Sequence, residues 1–199
     1  RGGMGQVFKA RQKSLDRLVA IKVLPLNLCK NEEFIGRFKR EARLAGKFYH
    51  PNAIQVFDIG ENRGQYYYIM EYVEGGNLKE KLAQDGRLNQ NYVLSVLRQV
   101  LSVLKEAETL KIIHRDIKPD NIMLTSDGIV KLADLGLARE VNDNAGLTQQ
   151  KIAIGTPHYM APEQAQGKPV DMRADQYALG VTAFHLLTGR TPFTGKNNM

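Results

Sequence analysis

The chain has 199 residues, 43% of them hydrophobic, a formal net charge of +7 and one cysteine, Cys29. That length suits one large domain or two small lobes, and that apolar share is enough for a core, which sets disorder aside. The lone cysteine excludes an intrachain disulfide and fits a reducing, cytoplasmic compartment; no run reaches the ~20 apolar residues of a bilayer span, and the basic residues are too scattered to call for nucleic acid.

Arg1-Gly2-Gly3-Met4-Gly5-Gln6-Val7 opens as a glycine-rich turn. Such glycines let backbone amides approach phosphate oxygens without a Cβ in the way. Residues 7–10 read as a strand leaving it. Residues 18–24 read as a buried strand interrupted by Lys22, which must snorkel out or find an anion. Residues 31–49 read as a helix, with Asn31 as its cap and Glu32 and Glu33 at its positive end. Phe34, Phe38, Ala42 and Ala45 form its inward stripe, and Glu41 lies beside them. Residues 53–59 and 65–73 read as two strands joined by a turn at 61–64. The second runs into Met70-Glu71-Tyr72-Val73-Glu74-Gly75-Gly76. On residues alone this is a strand ending at a Gly-Gly turn, and it marks the boundary between two lobes.

Residues 77–85 suggest a short helix stopped at Gly86. Residues 90–110 suggest a longer one, with Val93, Leu97, Val100, Leu104 and Ala107 as its buried face. It delivers the chain to His114-Arg115-Asp116-Ile117-Lys118-Pro119-Asp120-Asn121. Residues 122–124 and 129–132 read as a small hairpin, which puts Asn121 and Asp134 on either side of one site. A polar cluster of this kind has no use in a core, where each group would need a partner. It suits phosphoryl transfer: Asp116 can accept a hydroxyl proton, and Asn121 and Asp134 can offer oxygens to Mg²⁺. His114 reads as a buried structural imidazole. Residues 138–153 read as a loop, closed by Gly155-Thr156-Pro157-His158-Tyr159-Met160-Ala161-Pro162-Glu163. Residues 170–187 read as a helix with so little polar surface that it should be central, capped by Gly189. His50, His158 and His185 have no ligand spacing with Cys29 and do not read as a zinc site.

His-Arg-Asp-Ile-Lys-Pro-Asp-Asn followed by Asp134-Leu135-Gly136 resembles the catalytic and metal loops of eukaryotic-like protein kinases. Gly-Gly-Met-Gly-Gln-Val, Leu-Gly-Leu-Ala-Arg and Ala-Pro-Glu-Gln look most like the bacterial branch. The resemblance covers nearly the whole chain. It implies an α+β, bilobal protein-kinase fold truncated at both ends. Residues 1–73 would be an N-lobe, a small antiparallel sheet with one helix and without its first strand. Residues 74–199 would be a mainly helical C-lobe without its final helices.

The resemblance also assigns roles. The nucleotide would be ATP with Mg²⁺, held by Gly2, Gly3 and Gly5 of the phosphate loop, with Val7 over the adenine and Ala20 beside it. Lys22 would hold the α- and β-phosphates and Glu41 would pair with Lys22. Met70 would be the gatekeeper, Glu71 and Val73 would bond the adenine through their backbones, and Met123 would pack beneath it; plain core packing is the other reading of Met123. Asp116 would be the general base, and Asn121 and Asp134 the metal ligands. Lys118 would balance charge on the γ-phosphate, and Thr156 would brace Lys118 and Asp116. Asp175 resembles the aspartate that holds the catalytic loop. Glu163 would pair with an arginine beyond Met199. Leu135 departs from the commoner phenylalanine and leaves Asp134 in place. Lys118, two residues after Asp116, favours serine and threonine hydroxyls on protein substrates. Arg115 implies control by loop phosphorylation, with Thr148 modified by a second copy in trans. Bacterial kinases of this type often continue into a membrane helix and a sensor. Two rivals stay open: a pseudokinase, which would normally lack one of Lys22, Asp116, Asn121 or Asp134, and a small-molecule kinase, which would lack a segment like residues 155–163.

Overall fold

The computed structural model describes residues 5–134, 139–140 and 157–193. Four strands, β1 (Gln6–Gln12), β2 (Arg17–Val23), β3 (Val56–Asn62) and β4 (Gln65–Glu71), form one antiparallel sheet in the order β1-β2-β4-β3. The β3–β4 hairpin closes through Arg63 and Gly64, both at positive φ (52° and 78°). Two consecutive positive-φ residues give the turn that matches the twist of the flanking strands.

A helix, α1 (Glu32–Lys47), packs beside this sheet. The Asn31 side chain accepts from the Glu33 N–H, so the expected cap holds. The buried stripe is Ile35, Phe38, Glu41, Ala42 and Ala45. Phe34, expected in that stripe, is half-buried, because the face is centred one position later and Ile35 takes the inward place.

The remaining part is mainly helical. Helix α2 (Leu78–Asp85) starts with a reciprocal capping box between Asn77 and Glu80. Helix α3 (Gln90–Thr109) buries Val93, Val96, Val100, Val103, Leu104 and Ala107, while Leu97 is half-buried. Strand β5 (Ile112–Ile113) leads into the polar loop, and β6 (Ile122–Leu124) pairs with β7 (Val130–Leu132) as the expected hairpin. Strand β8 (Arg139–Glu140) pairs with β5. After a short helix, α4 (Pro162–Ala165), comes α5 (Met172–Thr188), capped by Asp171 and by Gly189 at φ 76°. Its Ala174, Ala178, Leu179, Val181 and Leu186 are buried. Phe184 and Leu187, expected to be covered, are each 39% exposed, so among the described residues α5 is buried on one side only.

Backbone hydrogen bonds join the sheet to the helical part before β3 and after β4. The segment before β3 bonds β7: Ile54 N–H donates to the Leu132 carbonyl (2.9 Å), and Leu132 N–H to the Asn52 carbonyl (2.7 Å). The segment after β4 bonds β6, with Leu124 N–H on the Gly76 carbonyl at 2.9 Å. A Cβ on Gly75 would fall on the Leu124 carbonyl, so only glycine allows the two backbones this close. These contacts set the sheet over the β6–β7 hairpin and the loop that precedes it.

Candidate active site

Lys22 finds its anion. Its Nζ lies 2.9 Å from Glu41 Oε1 and 2.7 Å from Asp134 Oδ1. Three sequence-distant elements supply this cluster: β2, α1 and the segment after β7. Burial pushes the Lys22 ammonium down, but Asp134, Tyr68 and Glu41 around it hold it well above the ordinary lysine value. Burial likewise pushes Asp134 up, and Lys22 outweighs it through charge and hydrogen bond, leaving Asp134 below the ordinary carboxylate value. Both groups are therefore charged across the physiological range. Of the two pairs only Lys22–Glu41 is buried on both sides, and removing Lys22 from such a pair costs about 3–5 kcal/mol, because the other charge is left without a partner.

The polar loop forms a second cluster. Lys118 Nζ contacts Asp116 at both oxygens, 3.0 Å to Oδ1 and 2.7 Å to Oδ2. Asn121 Nδ2 donates to the Asp116 carbonyl at 2.8 Å and to its Oδ2 at 2.9 Å. A carboxylate offers about four lone-pair positions. Both on Oδ2 are taken, and Oδ1 keeps one free for an incoming hydroxyl. The Asn121 amide hydrogens are both spent on Asp116, so its Oδ1 is the atom left for a cation. With the Asp134 carboxylate it makes an all-oxygen donor set, the kind a hard cation such as Mg²⁺ takes together with water and phosphate oxygens.

The loop is held from below. Asp175, fully buried on α5, accepts the N–H of His114 at Oδ2 and of Arg115 at Oδ1, each at 2.8 Å. Burial pushes this carboxyl up, against those two N–H donors and the Arg115 charge. His114 is fully buried as expected. The Asp116 N–H donates to its Nδ1 (3.2 Å), which assigns the ring proton to Nε2, and Nε2 donates to the Ala133 carbonyl (2.9 Å). The Ala133 N–H in turn donates to the Asn121 carbonyl at 2.8 Å. Arg115 and Asp134 both sit at positive φ, 69° and 57°. Side chains rarely adopt that region, and such strain persists only where surrounding bonds over-determine it.

The nucleotide-site candidates gather on one sheet face. The register pairs Val7 with Lys22, Lys22 with Tyr68, and Ala20 with Met70. Alternation along β2 puts Ala20 and Lys22 on the same side, so Val7, Ala20, Lys22 and Met70 share it. Gly5 lies against Lys22: a Cβ there would come 3.0 Å from the Val23 carbonyl and 3.2 Å from Lys22 Cγ. Val73 is buried, Met70 and Glu71 are half-buried, and half-buried Met123 pairs with Lys131 across the hairpin. Gly2, Gly3, Leu135, Thr148, Gly155 and Thr156 lie outside the described residues.

Three features escaped the sequence reading. The Tyr68 hydroxyl donates to Glu41 Oε1 at 3.0 Å. Lys131 Nζ grips the Glu71 carboxylate at 2.8 Å and 3.0 Å. The Asn52 side chain ties Gln99 on α3 to the Val130 carbonyl. Period-two alternation back from Met70 would have put Tyr68 on the Lys22 face; nothing local pointed to the other two.

The sequence pattern described as "Protein kinase domain" matches residues 1–199. The chain belongs to the protein kinase family. This kinase domain is 42% identical over 196 residues to the serine/threonine-protein kinase PrkC of Bacillus subtilis, covering 98% of the chain and 30% of that protein. It is 44% identical over 200 residues to the serine/threonine-protein kinase pkn3 of Myxococcus xanthus, covering 96% and 37%. A probable serine/threonine-protein kinase PknB of Corynebacterium glutamicum is 42% identical over 201 residues, covering 98% and 31%. The kinase domain thus spans about a third of the length of these relatives. No helix among the described residues is long and apolar enough to cross a membrane.

Proposed function

We propose that this kinase domain transfers the γ-phosphoryl group of ATP to serine and threonine hydroxyls of proteins in bacterial signalling. The observation that carries the proposal is the meeting at Asp134: its carboxylate binds Lys22, and its neighbour Ala133 is bonded to both Asn121 and His114. Phosphate-positioning and proton-accepting groups are thereby built on one frame. Lys22, kept cationic and oriented by Glu41, faces the α- and β-phosphates. Bound Mg²⁺ would neutralise charge on the phosphates, and Asn121 Oδ1 and Asp134 are the oxygens that would hold it. Asp116 Oδ1 takes the proton of the attacking hydroxyl. The new bond joins that hydroxyl oxygen to the γ-phosphorus as the bond to the β-bridging oxygen breaks, and ADP leaves. Lys118 offsets the charge of Asp116 in the resting state and turns to the γ-phosphate when substrate enters. The protein supplies position and charge, which is most of what phosphoryl transfer needs.

We place the lobe division between residues 73 and 74, and assign Val7, Ala20, Met70, Glu71, Val73 and Met123 to the adenine site and Gly2, Gly3 and Gly5 to the phosphates. Thr156 braces Asp116 and Lys118. Thr148 is the autophosphorylation site, modified by a second copy of the protein. The kinase domain acts in the cytoplasm.

The test uses the full-length protein with radiolabelled ATP and Mg²⁺, offering a generic protein beside an aminoglycoside. Label is expected on serine and threonine of the protein. Asp116→Asn should lower transfer by about 10²–10⁴ while nucleotide binding survives. Label on the aminoglycoside instead, no transfer at all, or a near-normal Asp116→Asn enzyme would each overturn the reading.

A further inference from the structure

Tyr68 is 3% exposed on β4, the strand that runs beside Lys22. A buried phenol needs a partner for its hydroxyl. Tyr68 has one in Glu41 Oε1, the same oxygen that takes Lys22 Nζ. The ring has two further contacts. Lys22 Nζ lies 5.5 Å from its centroid, within reach of a cation–π attraction. Phe38, one turn before Glu41 on α1, lies with its centroid 5.1 Å away, tilted by 37°. Tyr68 thus touches both ends of the Lys22–Glu41 pair and the helix that carries Glu41.

We infer that Tyr68 is a positioning residue, whose hydroxyl holds the Glu41 carboxylate in the orientation that aims Lys22 at the phosphates. Glu41 reaches Lys22 from α1, a helix that is not itself a member of the sheet. A glutamate side chain has three rotatable bonds, and a single ion pair leaves it free to swing about Nζ. The hydroxyl, fixed by a rigid ring in a rigid strand, supplies a second point. Two donors on one oxygen, from β2 and from β4, define where that oxygen is. The aromatic contact with Phe38 keeps α1 close enough for the bond to form. Any side chain that fills the space without a donor would keep the packing and lose the second point. The inference rests on the reading of Lys22 and Glu41 as the phosphate-positioning pair.

The test replaces Tyr68 by Phe in the full-length protein, deleting one oxygen and leaving the ring. Deleting one partner of a buried hydrogen bond costs most where the other partner is left unsatisfied. Lys22 still holds it here, so kcat/KM for ATP should fall about 3–10-fold, with KM for the protein substrate and the unfolding midpoint unchanged. In a Glu41→Ala background, which has no acceptor, Tyr68→Phe should add nothing. Wild-type kcat/KM in Tyr68→Phe, or the same loss with and without Glu41, overturns the proposal. So does a fall in the unfolding midpoint together with a rise in both KM values, which would make the hydroxyl a packing element. Lys22→Met separates the two levels. If it leaves transfer intact, the phosphate-positioning reading fails and takes this one with it. If it abolishes transfer while Tyr68→Phe is silent, only the role of the hydroxyl fails.

Discussion

Asp175→Asn should loosen the catalytic loop without touching any group that meets substrate. Asparagine is isosteric with aspartate, so packing on α5 stays. One oxygen remains and can accept a single N–H, from either His114 or Arg115. The amide nitrogen then faces the other N–H donor to donor. One hydrogen bond to a charged acceptor is lost, worth about 1.5–3 kcal/mol, and one buried N–H goes unsatisfied, about 1–3 kcal/mol. The substitution also removes a buried charge whose carboxyl is already pushed up by burial, and this offsets part of the loss. The net cost to holding the loop closed is roughly 1–3 kcal/mol. Arg115 should respond first, because its positive φ is held from two sides, by Asp175 at its N–H and by the Gln164 amide at its carbonyl (2.9 Å). In hydrogen exchange followed by mass spectrometry, the peptide over residues 112–117 should exchange about 5–150 times faster, with the peptides of the β1–β4 sheet unaffected. kcat should fall with it, while nucleotide affinity, which we assign to Lys22 and Asp134, holds. Unchanged protection over 112–117 together with wild-type kcat would show that the Asp175 bonds do not govern the loop.

Lys131→Met should raise KM for ATP about 3–10-fold with little change in kcat, the size of a partly buried ion pair lost at Glu71, beside the backbone proposed to bond the adenine. Lys131→Arg should restore most of it, and steady-state kinetics at varied ATP decide the point. Gly5→Ala presses a methyl against the Val23 carbonyl and the Lys22 stem, at a cost of about 1–3 kcal/mol. Nucleotide titration of that variant should show weakened binding, and unchanged affinity would mean the strand yields freely. The Lys22–Asp134 pair also has a pH signature. Asp134 is lowered, so its contribution is present above its ordinary value of 3.8 and is lost as pH falls through the lower folded value. Lys22 is raised, so its contribution is present below 10.5 and is lost as pH rises through the higher folded value. The melting temperature of Asp134→Asn should therefore sit below wild type by a constant margin between pH 5 and 9; a margin that changes within that range would place one of the two pKa values inside it.

Local order was legible where local chemistry decides it. Asn31, Gly86 and Gly189 announced helix ends because a cap is made by residues one to three positions away. Periodicity found α1, α3 and α5 but misplaced Phe34, Leu97, Phe184 and Leu187. A hydrophobic stripe says that a face is apolar; it does not say how wide the opposing surface is or where it ends. The polar loop was legible for a different reason. Eight residues with so many polar groups are costly to bury without partners, so the segment reads as a site. What the sequence withheld was the partner across a gap. Lys131 reads as an ordinary strand lysine until β7 is set beside the end of β4, and Asn52 as a turn residue until α3 passes it. Both depend on the register between the sheet and the β6–β7 hairpin, which no window of sequence contains.

The least conspicuous residue in the site makes the same point more sharply. Ala133 has no side-chain chemistry, and sequence reasoning passes over it as filler before Asp134. Its carbonyl receives the His114 ring proton, and its N–H meets the Asn121 carbonyl. His114 is bonded to Asp175 through its own N–H and to Asp116 through Nδ1. Hydrogen bonds of backbone and side chains therefore connect the Asp175 carboxylate through His114 to Ala133, the residue before Asp134, with Asp116 and Asn121 joined to the same network. Asp134 leaves that chain at positive φ and presents its carboxylate to Lys22. The strain at Arg115 and at Asp134 sits at the two ends of this network, where a residue relaxed into the common helical or extended region would aim its side chain elsewhere. Directed hydrogen bonds to the backbone supply what side-chain packing cannot: two carboxylates and a carboxamide held in fixed relation by elements that span the sequence from α5 back to β2.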